Sequence, residues 1–305
     1  MGAGHKRRRA VLKRLDGLLD RAEALLPVAP ARELDEDVWA WRWRRRRGIG
    51  GLRAVRHLHD IGLAELHGVE LQKTLLERNT RQFLAGLPAN NALLWGARGT
   101  GKSSLVKALL NAYGDAGLRL VEVDREELAD LPEVIDLLQD RPERFIIFSD
   151  DLSFEQGDVS FKAVKGVLDG SVAAVPANVL IYATSNRRHL VPEYFAENDQ
   201  AHNVDGEIHH AEAVEEKISL AERFGLWLSF YPFDQDTYLG IVAGWLGALG
   251  FADPDPELTR REALRWALGR GSRSGRSAQQ FARDWVGRHA LDEPASPPTE
   301  EMPHD

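Results

Sequence analysis

The sequence predicts an α/β protein: a mostly parallel five-stranded sheet between helices, followed by a small all-helical unit and preceded by a helical, basic N-terminal region. Three observations carry this reading. Short apolar runs alternate with helical stretches from residue 91 to residue 230, the strand signal stops after Pro232, and three helical patterns follow. Strands that alternate with helices build parallel sheets covered on both faces.

Composition bounds the answer. The 305 residues are 43% hydrophobic and 28% charged, enough for a real core. No run of 18 apolar residues is present, so no membrane span and no membrane partner are expected. Lys6, Arg7, Arg8 and Arg9 are not followed by an apolar stretch of signal-peptide length. There are no cysteines, which excludes disulfides, thiol catalysis and cysteine-ligated zinc. A cytoplasmic location is the plain expectation. The net charge of −8 is uneven: residues 1–60 carry 15 Lys/Arg against 8 Asp/Glu, a net of +7, and the remainder carries −15. A basic head on an acidic body speaks of partners rather than of fold.

The elements follow in order. Residues 6–26 read as an amphipathic helix through Leu12, Leu15, Leu19 and Leu26, ended by Pro27 and Pro30. In "VWAWRWRRRRG" the alternation of Trp39, Trp41 and Trp43 suits an extended segment. Its arginines and tryptophans fit three uses: contact with nucleic acid, docking on the acidic body, or an acidic partner. Residues 69–85 are helical. The strand candidates are 92–95, 118–123, 145–148, 179–183 and 226–230. The helices between them are 102–113, 131–140, 158–169 and 211–222, and 235–249, 257–269 and 275–290 complete the chain. The tail from residue 292, rich in Pro and acid, reads as disordered. His202, His209 and His210 lie in an acid-rich segment with the composition of a solvated loop, which outweighs a metal site.

The sharpest motif is "GARGTGKSS", residues 96–104, set between a strand and a helix. Gly96, Gly101, Lys102 and Ser103 fit G-x-x-x-x-G-K-[ST]. Such a loop turns backbone N–H groups towards phosphate oxygens, aided by the positive end of the helix that follows. Gly96, Ala97, Arg98, Gly99, Thr100, Gly101, Lys102, Ser103 and Ser104 are therefore the nucleotide-binding candidates. Lys102 neutralises the outer phosphates, and the Ser103 hydroxyl can ligate Mg²⁺.

Phosphoryl transfer also needs the metal held from a second direction. "FIIFSDD" places Asp150 at a strand tip, 48 residues after Lys102. Asp150 is the second metal candidate, acting through water because Mg²⁺ keeps several of its own. Asp151 is the candidate for polarising the attacking water. In many enzymes of this kind that acid is a glutamate, one methylene longer. Asn186 ends the next apolar run and could orient the water or touch the γ-phosphate. Arg223, between a helix and the last strand, is expected to reach a neighbouring subunit's phosphate. Arg276, at the start of the last helix, is the candidate lid arginine, with Arg273 as its competitor.

Together these residues resemble the AAA+ ATPases over about residues 61–291. "GARGTGKSS" resembles their phosphate loop, "FIIFSDD" their metal strand, "ATSN" their first sensor, "ERFGL" their arginine-finger segment and "SGRSAQQF" the second sensor on a helical lid. "HGVELQK" (67–73) resembles the segment that lines their adenine pocket. The double aspartate resembles the initiator and helicase-loader group. The chain as a whole is most similar to a bacterial AAA+ family of unknown function, of domain-of-unknown-function 815 type. The resemblance implies a basic N-terminal region (1–60), an ATPase core (61–233), a helical lid (234–291) and a tail (292–305). It also implies ATP and Mg²⁺ as ligands, a homo-oligomeric ring or open ring, and a macromolecular partner that it does not name. No aromatic–hydrophobic–glycine loop lies between Asp124 and Phe145, which argues against threading of polypeptide. The alternatives are a non-hydrolytic ATP-dependent switch or loader and, less well supported, a P-loop small-molecule kinase.

Overall fold

The computed structural model describes residues 34–35, 37–46, 48–152, 159–169, 175–186 and 220–292. Two strands, β1 (Ala40–Arg46) and β2 (Ile49–Ala54), precede helix α1 (Glu70–Leu84). Then come β3 (Ala92–Gly96), α2 (Lys102–Tyr113), β4 (Leu118–Glu122), α3 (Leu131–Leu138) and β5 (Arg144–Ser149). They are followed by α4 (Val159–Asp169), β6 (Val179–Ser185) and β7 (Leu226–Phe230). Helices α5 (Gln235–Ala248), α6 (Pro256–Gly269) and α7 (Gly275–Asp292) complete the described chain. The expected helix at 6–26, most of that at 211–222, the histidine-rich loop and all but the first residue of the tail lie outside the described residues.

One sheet runs through the molecule in the order β2-β1-β4-β5-β6-β3-β7. Only β1 and β2 pair antiparallel; every other neighbouring pair is parallel. The chain passes from β3 over to β4 and then steps back through β5 to β6. This route lays β6 between β5 and β3, so their C-terminal ends come side by side. Period-two alternation splits the core between the two faces. Ile146 and Phe148 of β5 face α1, α2 and the C-terminal helices, while Phe145 and Ile147 face the side of α3 and α4.

The five expected strands form, and the sheet has two more. The difference comes from "AWRWRRR", which joins the sheet instead of standing apart as an extended segment. Trp41 and Trp43 point into the α3–α4 side of the core and are almost fully buried. Gly50 on β2 makes room for this, since a Cβ there would lie 2.0 Å from the Trp43 ring. The Trp43 indole donates to Asp130 Oδ2 at 2.9 Å. Arg42, Arg44 and Arg45 are held by acids of the body. Arg42 meets Glu122 through Nε at 2.7 Å, Arg44 binds Asp124 and Glu127, and Arg45 binds Asp130 and Glu133 at 2.7 and 2.9 Å. Of the three uses open to this segment, docking on the acidic body is the one the structure shows for Arg42, Arg44 and Arg45.

The hairpin is thus part of the core and not an appended arm. Trp43→Ala should destabilise the protein by about 3–5 kcal/mol, the usual cost of deleting a fully buried tryptophan. Chemical denaturation measures it. A loss under about 1 kcal/mol would contradict the assignment of the hairpin to the core.

Candidate functional site

The phosphate loop begins where β3 runs out. Gly96 adopts φ 128, and a Cβ there would lie 2.0 Å from the Phe230 carbonyl oxygen, so only glycine fits so close to β7. The next amide, of Ala97, donates to that same oxygen at 2.9 Å. Thr100 Oγ1 closes the loop on the Ala97 carbonyl at 2.8 Å. Gly101, in the left-handed region, caps α2, whose first residues are Lys102, Ser103 and Ser104. Every nucleotide-binding candidate from Gly96 to Ser104 therefore lies on this loop or on the first turn of α2. An N-terminal turn of this kind presents unpaired N–H groups and a positive field to an anion.

Lys102 is buried, and its ammonium has three acceptors: Gly96 O at 3.0 Å, Ala97 O at 2.7 Å and Asn186 Oδ1 at 2.9 Å. Burial brings its pKa down to about 8; Asp150 and Asp151 act the other way, and Arg98 adds to the lowering. A phosphate would supply the full negative partner that the carbonyl dipoles only imitate.

The acids sit at the end of β5. Asp150 Oδ1 accepts the Ser103 hydroxyl at 2.6 Å and the Thr184 hydroxyl at 2.6 Å. The carboxylate and the Ser103 hydroxyl therefore meet at one point, and they are the hard oxygen donors that Mg²⁺ prefers. These residues fit the ion. Asp151 turns out of the strand at φ 56, the only non-glycine positive φ among the described residues. Its Oδ1 accepts the Asn186 amide at 2.8 Å. Asn186 thus bridges Lys102 and Asp151, and the loop and two strand tips form one hydrogen-bonded chain.

Not every expected residue joins this cluster. Arg223 precedes β7, at the opposite end of the strands from the phosphate loop. It is ion-paired with Asp169 at the end of α4. Arg276 opens α7, and α7 is seated on the phosphate loop: the Gly275 N–H donates to Gly99 O at 2.8 Å. The Arg276 Cβ lies 3.7 Å from where a Cβ on Gly99 would be. The segment before α1 packs against the lid, with Gly68 beside Phe233 and Thr237, and Lys73 Nζ tied to the Leu63 and Leu66 carbonyls. Among the described residues no group of three or more His, Asp or Glu is placed to hold a metal ion, and no helix is long and apolar enough to cross a membrane. Sequence reasoning missed Thr184. Its only signal was a hydroxyl near the end of a mostly apolar run, two residues before Asn186.

The lowered Lys102 pKa has a binding consequence. Phosphate selects the protonated amine, which becomes the minor form in the free chain above pH 8 or so. Affinity for an ATP analogue in EDTA should fall as pH rises from 7 to 9, approaching about tenfold per unit at the upper end. Calorimetric titration at several pH values reads this, and a flat profile would contradict the assignment.

With the geometry established, the chain can be placed among known proteins. No curated protein sequence matches it. Among solved structures, the Thermotoga maritima RuvB Holliday junction branch migration motor aligns with a TM-score of 0.51 at 15% identity, over 76% of this chain and 66% of that one. The Aeropyrum pernix ORC1 protein in complex with DNA aligns with a TM-score of 0.50 at 15% identity, over 74% of this chain and 61% of that one. This chain therefore spans less than two thirds of either length, and at these identities the likeness establishes the fold, an AAA+ core with a helical lid. A family model described as "Protein of unknown function (DUF815)" matches residues 36–289. The chain belongs to that family, and its fold is of the AAA+ type.

Proposed function

We propose that this protein binds ATP with Mg²⁺ and hydrolyses it as an oligomer, using the cycle to remodel or load a macromolecular partner. The observation that carries the reading is the continuous hydrogen-bonded chain Ser103–Asp150–Thr184–Asp151–Asn186–Lys102, which joins the phosphate loop to two strand tips. A chance glycine turn would have no reason to meet a carboxylate pair in this way. In this reading the loop amides and Lys102 cradle the phosphates. Ser103 and Asp150 hold Mg²⁺, which when bound neutralises charge on the phosphate oxygens. Asp151 accepts a proton from the attacking water at Oδ2, its Oδ1 being engaged by Asn186. Arg276 contacts phosphate from the lid. Arg223, remote from its own site, acts on a neighbour's nucleotide across a subunit interface.

The domain division that goes with this reading is an ATPase core over 61–233 to which strands 40–54 contribute, a lid over 234–291, and flanking segments at 1–60 and 292–305. We place the protein in the cytoplasm on its cysteine-free composition. A nucleic-acid partner is compatible with two relatives whose names refer to a Holliday junction and to a DNA complex. Arg42, Arg44 and Arg45 are already ion-paired, so such contact would fall to other basic residues of the N-terminal region.

The second reading, an ATP-dependent switch without turnover, has one observation in its favour. Asn186 is bonded at both ends, and Arg223 is paired within its own chain. Asn186, Lys102 and Asp151 are thus engaged by each other, and Arg223 by Asp169, before any partner arrives.

Complementation separates the two. Asp151→Asn and Arg223→Ala should each cut phosphate release by about 100-fold or more while still binding ATP. Mixed in equal amounts, the two variants should regain part of the activity, because an Arg223→Ala subunit supplies Asp151 to a site completed by its neighbour's Arg223. Mixtures that stay as inactive as the separate variants would sink the shared-site reading.

A further inference from the structure

We propose that Thr184 is a positioning residue, the clasp that fixes the metal-side acid and the water-side acid relative to each other. The inference rests on the hydrolytic reading of the same site and deepens it. Thr184 lies one residue before the end of β6 and is 1% exposed, so its polar atoms must find partners inside the protein. They find them on the two acids. The hydroxyl donates to Asp150 Oδ1 at 2.6 Å and accepts the Asp151 N–H at 2.9 Å. The Thr184 carbonyl accepts the next amide, of Leu152, at 2.6 Å. Two consecutive amides leaving β5 therefore end on one residue.

This arrangement does two separate jobs. First, it sets the turn. Aspartate enters the left-handed region more readily than most side-chain-bearing residues, and here the amides of Asp151 and Leu152, both captured by Thr184, hold it at φ 56. The captured turn is what aims Asp151 towards Asn186. Second, it orients the other acid. Asp150 Oδ1 receives two hydroxyl protons, from Ser103 and Thr184, which leaves Oδ2 free of hydrogen bonds among the described residues. Outer groups that orient a ligating carboxylate influence metal affinity and activity nearly as much as the ligands do.

The direction of the hydroxyl is determined as well. Asp151 offers its backbone N–H to Thr184, so the hydroxyl must accept there and can spend its single proton only on Asp150. A β-branched residue with few χ1 choices keeps that proton aimed. Valine would preserve the shape and remove both hydrogen bonds. Serine would keep the hydroxyl and lose only the restraint of the methyl group.

The test compares Thr184→Val, Thr184→Ser and the wild-type full chain. Binding of a fluorescent ATP analogue is titrated with Mg²⁺ from a metal-free start, alongside steady-state phosphate release. In Thr184→Val the Mg²⁺ needed for half-maximal response should rise about 10- to 100-fold, kcat should fall by a comparable factor, and metal-free binding should change little. Thr184→Ser should recover most of both. A Mg²⁺ response in Thr184→Val equal to wild type overturns the proposal, as does a loss in Thr184→Ser as large as in Thr184→Val. A wild type that shows Mg²⁺-dependent binding without turnover would defeat the hydrolytic reading alone, and the Mg²⁺ titration would still decide the role of Thr184. Thermal unfolding without metal accompanies each variant, and Thr184→Ala replaces Thr184→Val in the same comparison should the latter fail to fold.

Discussion

The placement of β6 between β5 and β3 is the constraint on which the site depends. Parallel pairing in this order brings the ends of three strands to one line, and ligand sites in such sheets form at that edge. β3 delivers the phosphate loop, β5 the two acids, and β6 the residues that tie the acids to the loop. With β6 elsewhere, Ser103 and Asp150 would lack the intervening strand that now holds both acids through Thr184 and bridges Lys102 to Asp151 through Asn186. Among the described residues the lid meets the phosphate loop through the backbone hydrogen bond from Gly275 to Gly99.

The uneven charge of the chain acquires a structural meaning at the other edge of the sheet. The positive segment around Arg42–Arg45 and the acids of β4 and the turn after it belong to one another. Exposed ion pairs contribute little each. These are partly shielded, and they line the seam where β1 joins β4, with Trp41 and Trp43 anchoring the strand from beneath. The tryptophans supply the burial and the arginines help to set the register. A segment whose composition leaves nucleic acid, the acidic body and an acidic partner open is in large part a wall of the core.

How much of this was legible in the sequence follows from the range of each interaction. The loop from Gly96 to Ser103 was fully legible, because its chemistry lies in consecutive residues. The strands were legible where buried runs such as "FIIF" leave no other reading. Membership of β1 in the sheet was not, because its partner strand lies some 80 residues further along and period-two alternation says nothing about which strand will pair. Thr184 was hidden for a related reason: a hydroxyl within a buried strand reads as core until its neighbours across the sheet are known. The pairing of Arg223 with Asp169, 54 residues apart, was invisible in the same way. The sequence does place Asp150 and Asp151 correctly at a strand tip, and the structure adds the left-handed turn at Asp151 and its bond to Asn186.

The claim at the centre of this account is that the two acids and the phosphate loop form one hydrolytic site. Phosphate release by the purified wild-type protein, followed against protein concentration in Mg²⁺ and in EDTA, tests it most directly. The account predicts turnover that requires Mg²⁺ and rises more steeply than linearly with protein concentration, as sites are completed between subunits. Tight ATP binding with no phosphate released at any concentration would contradict it and leave the switch in its place.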